Sequence, residues 1–146
     1  METRHVSVRS ELLEPIVDYL HGVDAKNRDM VSGVFHEDAE TIYNSGAADE
    51  FSVSTRVQIV SQLFGIIDGF GPTIHALGNF SARESGGRGH VDSFVVANIV
   101  KNGSFTARGI HYSDMLERVG GRWLIRQRRH RPLWQTTGPV SQMLIP

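Results

Sequence analysis

Pro72 divides this sequence into two periodicities, and no other feature restricts the fold as strongly. Downstream of it apolar residues alternate with polar ones, the pattern of strands with one face buried. This predicts strands over Thr73–Ala82, His90–Val100, Ser104–Arg118 and Arg122–Trp134. Ser85-Gly86-Gly87 joins the first two strands and Gly120-Gly121 the last two, while Asn102-Gly103 is the strongest hairpin signal in the chain. A two-residue turn there pairs Asn98 with Ala107 and Phe94 with His111. Asn98 then shares a face with His111, away from Tyr112 and Asp114.

Upstream of Pro72 the period is helical. In LLEPIVDYLHGVD, residues 12–24, Leu13, Ile16, Val17, Leu20 and Val23 form one stripe. Pro15 fits best at a first helical position, so a regular helix is expected to begin near Glu14. Asp24-Ala25-Lys26-Asn27 reads as a break, and Asn27 can cap a short second helix carrying Met30, Val31, Val34 and Phe35. Thr41-Ile42-Tyr43 reads as a short strand, followed by the small-residue and acidic loop Asn44–Glu50. After Ser54 a third helix aligns Val57, Val60, Leu63, Phe64 and Ile67, ending at Gly69 and Gly71. Helices first and antiparallel strands afterwards predict an α+β fold, a curved sheet wrapped around a long N-terminal helix. Such a cone leaves a cavity at its mouth.

Length and composition set bounds on this expectation. With 146 residues, 40 % hydrophobic and 21 % charged, and a formal net charge of −1, the chain is read as one domain over 1–146. Its core spans about 10–135 and a tail covers 136–146. The charge balance argues against a nucleic-acid binder. No apolar run approaches the roughly 18 residues that span a bilayer, and the N-terminal stretch lacks a signal-peptide core, so no membrane partner is expected and a cytoplasmic location is the default. Without cysteine there is no disulfide, thiol nucleophile or thiolate metal site. No closely spaced metal-ligand set occurs, so neither a metal nor a cofactor is expected. The tail's Met143, Leu144 and Ile145 suggest contact with another subunit, in a dimer or trimer.

Two residues stand out chemically. Asp24 falls inside the apolar stripe of the first helix, where an unpartnered carboxylate costs several kcal/mol, so it either caps the next helix or meets a donor. His75 shares a strand face with Thr73, Leu77 and Asn79, opposite Ile74, Ala76 and Phe80; a lone histidine on a strand is more often a satisfied core or surface residue than a catalyst. Together they make a plausible pair, because a carboxylate on one imidazole nitrogen leaves the other as a base. Tyr112 and Asp114 alternate with Ile110 and Leu116 on a face that is either exposed or a pocket wall. The run Arg126, Arg128, Arg129, His130 and Arg131 alternates sides, and is read as a solvated or intersubunit edge.

The segments LHGVDAKNRDMVSGVFHEDAETIY, GPTIHALGNF and LERVGGRWLI carry a resemblance that runs from about Leu12 to Trp134. The chain resembles the SnoaL-like branch of the nuclear transport factor 2-like superfamily, and within it hexachlorocyclohexane dehydrochlorinase and, more distantly, scytalone dehydratase. The resemblance implies a cone-shaped, oligomeric domain with an Asp–His dyad in its cavity. Gly22-Val23-Asp24 carries the dyad acid onto Asp24 and Thr73-Ile74-His75 carries the base onto His75. Glu117-Arg118 places the pocket arginine on Arg118, beside the leaving group, and Tyr43 takes the place of a pocket tyrosine. Elsewhere the chain departs from the pattern. Tyr19 stands where the dehydrochlorinase has a pocket lysine, and Val23 where the dehydratase has a tyrosine. The dehydratase's second pocket histidine falls on Asn98 and its asparagine near Tyr112. Asn98, Tyr112 and Arg118 can all face inward only if a bulge shifts the register.

The expected function is cofactor-independent elimination of water or halide from an apolar cyclic small molecule, with His75 as general base, Asp24 orienting it, and Tyr43, Tyr112 or Arg118 assisting. An isomerase or cyclase step uses the same base. A non-catalytic ligand-binding or assembly domain is the rival class.

Overall fold

The computed structural model describes the backbone of residues 2–141 and side chains from Val8 to Ser141. Met143, Leu144 and Ile145 lie outside the described residues. Three helices, α1 (Glu2–Asp24), α2 (Arg28–Ser32) and α3 (Arg56–Ile67), accompany six strands. The strands are β1 (Phe35–Tyr43), β2 (Phe51–Ser54), β3 (Thr73–Ser85), β4 (Arg88–Lys101), β5 (Ser104–Val119) and β6 (Arg122–Pro139). They form one curved, unclosed sheet in the order β2-β1-β6-β5-β4-β3. All neighbours are antiparallel except β1 and β6, which run parallel, so the sheet is not the wholly antiparallel one expected.

The helix expected from Glu14 in fact continues back to Glu2, through Pro15. Pro15 removes one backbone donor, but burial of Leu12 and Ile16 on either side holds the turns together. The buried stripe is Leu12, Ile16, Tyr19, Leu20 and Val23, whereas Val17 is 44 % exposed. Tyr19 therefore takes the inward place expected of Val17. In α3 Val57 likewise points out, while Ile59, Val60, Phe64 and Ile67 are buried. The second helix ends before Val34, and Phe35 already belongs to β1. A further strand, β2, follows the acidic loop and pairs with Glu40–Tyr43. Gly22 allows α2 to close on α1, since a Cβ there would lie 2.8 Å from Val31 Cγ2.

Asn102 and Gly103 both adopt positive φ, 49° and 76°, the conformation a two-residue hairpin needs. The pairing follows: Asn98 opposes Ala107 and Phe94 opposes His111, and no shift interrupts β4 against β5. Bulges occur elsewhere. One between Leu77 and Phe80 turns Phe80 to the side expected of Asn79, where Arg9 lies 4.7 Å over its ring. Another lies at Arg126, between the pairs Leu116–Ile125 and Met115–Gln127. Trp123 and Ile125 are buried before it, and Arg128 is buried after it. One inserted residue has exchanged the faces of the strand.

Candidate active site

Asp24 is the last residue of α1, a position where a carboxylate faces the negative end of the helix dipole. It does not cap α2, because Asn27 does, accepting from the Met30 N–H at 3.1 Å. Its carboxylate instead reaches the first residues of β3. Thr73 Oγ1 donates to Oδ1 at 2.8 Å, the His75 backbone N–H donates to Oδ2 at 2.8 Å, and His75 Nδ1 lies 2.6 Å from Oδ1. These contacts compensate the unfavourable helix position and fix the imidazole. With Nδ1 donating to a carboxylate, the lone pair resides on Nε2. The His75 side chain is 9 % exposed and that of Asp24 25 %.

His75 lines a cavity of about 230 Å³ enclosed between α1, α3 and the concave sheet face. Its walls are mainly apolar, including Val23, Leu63, Ile67, Phe70, Ala97, Ile99 and Ile110. Tyr19, Tyr43, Tyr112, Arg108 and His130 supply polarity. Burial raises the pKa of all three tyrosines, so they remain phenols that donate hydrogen bonds. Burial, aided by Arg128 and Arg108, lowers His130 to about 4 and keeps it neutral.

Behind this wall lies a buried ion pair. Arg128 Nε donates to Asp114 Oδ1 at 2.7 Å and Nη2 to Oδ2 at 2.9 Å. The guanidinium sits 4.2 Å from the Tyr19 ring centroid and 4.1 Å from that of Tyr112. Burial opposes the charge of Arg128, but Asp114 more than offsets it and the pKa rises; burial pushes Asp114 upward against the pull of Arg128. The pair clamps two cavity tyrosines in place.

The structure thus brings Asp24, His75, Tyr19, Tyr43 and Tyr112 together. It separates the other candidates. Asp114 faces inward but belongs to the clamp behind the wall rather than the lining. Asn98 projects to the other face, and its Nδ2 donates to the Ile74 carbonyl at 3.0 Å; the unbroken β4–β5 register prevents the inward turn expected of it. Arg118 has the inward parity but lies ten positions along β5 from the cavity's Arg108, roughly 30 Å of strand. Its guanidinium stacks 4.5 Å over Trp123, with Glu11 at 3.4 Å. Arg118 therefore does not line the cavity.

Arg128 and His130 were expected on a solvated or intersubunit edge, and the bulge at Arg126 turns them to the inner face instead. Arg108 was readable in principle, since it precedes Ile110 and Tyr112 at the same parity. Among the described residues no group of three or more His, Asp or Glu side chains is arranged to hold a metal. No described helix is long and apolar enough to cross a membrane.

Comparison with solved structures places the fold. Hexachlorocyclohexane dehydrochlorinase type 3 from Novosphingobium barchaimii superposes with a TM-score of 0.79 at 16 % identity, covering 97 % of both chains. A protein named as a candidate scytalone dehydratase, from Novosphingobium aromaticivorans, gives 0.75 at 23 % identity over 96 % of this chain and 89 % of its own. A nuclear transport factor 2-like protein with a cystatin-like fold, also from N. aromaticivorans, gives 0.72 at 19 % identity over 88 % and 83 %. At these identities the similarity is one of fold. No curated protein sequence matches the chain. The profile of the SnoaL-like domain matches residues 4–129. With that match across most of its length, the chain belongs to the SnoaL-like domain family.

Proposed function

We propose that this protein is a cofactor-independent enzyme that eliminates water or halide from a compact, largely apolar cyclic molecule. The observation that carries this reading is the 2.6 Å contact between Asp24 and His75 at the wall of a mainly apolar cavity. His75 Nε2 removes a proton from carbon. The released electron pair forms the double bond as hydroxide or halide departs with its own bonding pair. Asp24 stabilises the resulting imidazolium and holds its orientation. Tyr43 and Tyr112, kept protonated by burial, donate hydrogen bonds to the departing atom. For hydroxide, the proton gained by His75 can return to complete water.

A positioned general base contributes about 10²–10⁴-fold, and confinement of the substrate against it supplies further acceleration. The dehydrochlorinase and dehydratase names borne by structural neighbours are consistent with elimination. Solvent deuterium exchange into cyclic ketones, followed by proton NMR, tests the base directly. Exchange should depend on His75 and disappear in His75→Gln. Its absence in the wild-type protein, with ligand binding retained, would favour a binding domain instead.

A further inference from the structure

The strands lining the cavity are in a register that aligns four side chains in one row. His75 on β3 opposes Ala97 on β4, Ala97 opposes Arg108 on β5, and Arg108 opposes Gln135 on β6. Directly opposed residues project from the same face. Adjacent strands lie about 4.8 Å apart, so the Cα atoms of His75 and Arg108 are roughly 10 Å apart with only a methyl group between them. That gap is about the width of one ring.

The charge at the far end of this row is incompletely matched. Arg108 Nε and Nη2 both donate to Gln135 Oε1, at 3.1 and 3.0 Å, a neutral acceptor that aims the guanidinium without neutralising it. Among the described residues no carboxylate lies within 4.0 Å of Arg108. Its Nη1 makes no hydrogen bond within the described structure. A half-buried cation beside Ile99 and Ile110 is partly desolvated, and a bound anion would restore what it has lost. The nearby Arg128 is paired with Asp114 behind the wall and does not line the cavity, which leaves Arg108 as the guanidinium that faces it.

We propose that Arg108 is the anion-recognition residue of the cavity, and that the substrate is a cyclic molecule carrying a carboxylate about one ring's width from the C–H that His75 attacks. This deepens, and in its placement of the C–H rests on, the assignment of His75 as base. Ala97 is the spacer: a larger residue there would occupy the ring's position. Gln135 is a positioning residue for the guanidinium.

The probes are 3-oxocyclohexanecarboxylate and its neutral carboxamide, which share a ring with exchangeable hydrogens beside the ketone. Dissociation constants and ring deuterium exchange in D2O are measured for both. The wild-type protein should bind the carboxylate roughly 10–100-fold more tightly, the range for a hydrogen bond to a charged group. Arg108→Gln should abolish that preference by weakening the carboxylate far more than the carboxamide, and Arg108→Lys should keep part of it. His75→Gln should keep the preference and lose exchange. Equal affinities in the wild-type protein would overturn the proposal without recourse to a variant, as would a preference that survives Arg108→Gln. A preference that depends on Arg108 without any wild-type exchange would uphold the anion site and remove the base assignment.

Discussion

Replacing Asp114 with asparagine keeps the volume of the buried clamp and removes its negative charge. Arg128 is 1 % exposed, donates two charge-assisted hydrogen bonds to Asp114, and packs against the rings of Tyr19 and Tyr112. Its guanidinium would then remain buried against a neutral amide, whose nitrogen end cannot accept. Breaking one side of a buried pair costs about 3–5 kcal/mol. At about 2–4 °C per kcal/mol for a chain of this size, the melting temperature should fall by roughly 6–20 °C. Thermal and urea unfolding of Asp114→Asn, Arg128→Met and the double variant Asp114→Leu/Arg128→Met separate the causes. The double variant should recover much of the loss, because it leaves no orphaned charge. A single-variant cost below about 1 kcal/mol would refute the reasoning, since such values belong to exposed pairs. Equal losses in the double and single variants would show that packing against the tyrosines, rather than charge, holds the clamp.

Stability should also fall on acidification because of His130, whose pKa is lowered from 6.5 to about 4 in the fold. Below its ordinary pKa the unfolded chain takes up a proton that the folded chain refuses, so stability is complete above about 6.5 and declines toward 4 by roughly 3 kcal/mol at most. Urea unfolding across that range should show the slope, and His130→Gln should flatten its share. Gly89→Ala should destabilise by about 1–3 kcal/mol in the same assay, because the new Cβ would lie 2.2 Å from Leu12 Cδ2. On the convex sheet face Ile74, Phe94, Leu133 and Trp134 are 67, 40, 45 and 50 % exposed. Burial of this surface between copies predicts a dimer or trimer by light scattering, weakened by Trp134→Asp; a monomer at micromolar concentration would contradict it.

The sequence made the frame legible wherever one physical rule acted alone. Asn102-Gly103 permits one tight hairpin, and the β4–β5 register followed from it residue by residue. Asp24 was conspicuous because a carboxylate occupied an apolar position, and it meets His75 Nδ1 at 2.6 Å. What escaped depends on insertions that sequence alternation cannot show. A single extra residue at Arg126 sends Arg128 and His130 inward, and another beyond Leu77 exchanges Asn79 and Phe80. Arg118 failed for a different reason: its parity is right, but parity carries no information about distance along a strand. The extension of α1 through Pro15 reflects tertiary burial overriding a local breaker, which no window of neighbouring residues reports.

The central claim is that Asp24 and His75 act as one base, and Asp24→Asn tests it most directly. The amide preserves size and is cheaper to bury than a carboxylate, so the fold should survive. It loses the charge that stabilises imidazolium, and its NH2 can turn toward His75 Nδ1 and favour the unproductive tautomer. The measurement is the rate of deuterium incorporation into 3-oxocyclohexanecarboxylate by wild-type and Asp24→Asn protein, with thermal unfolding recorded on the same samples. The account predicts a fall of roughly 10²–10⁴-fold with probe affinity changed far less. A correctly folded Asp24→Asn protein that exchanges at the wild-type rate would contradict it and reduce Asp24 to a tether between α1 and β3.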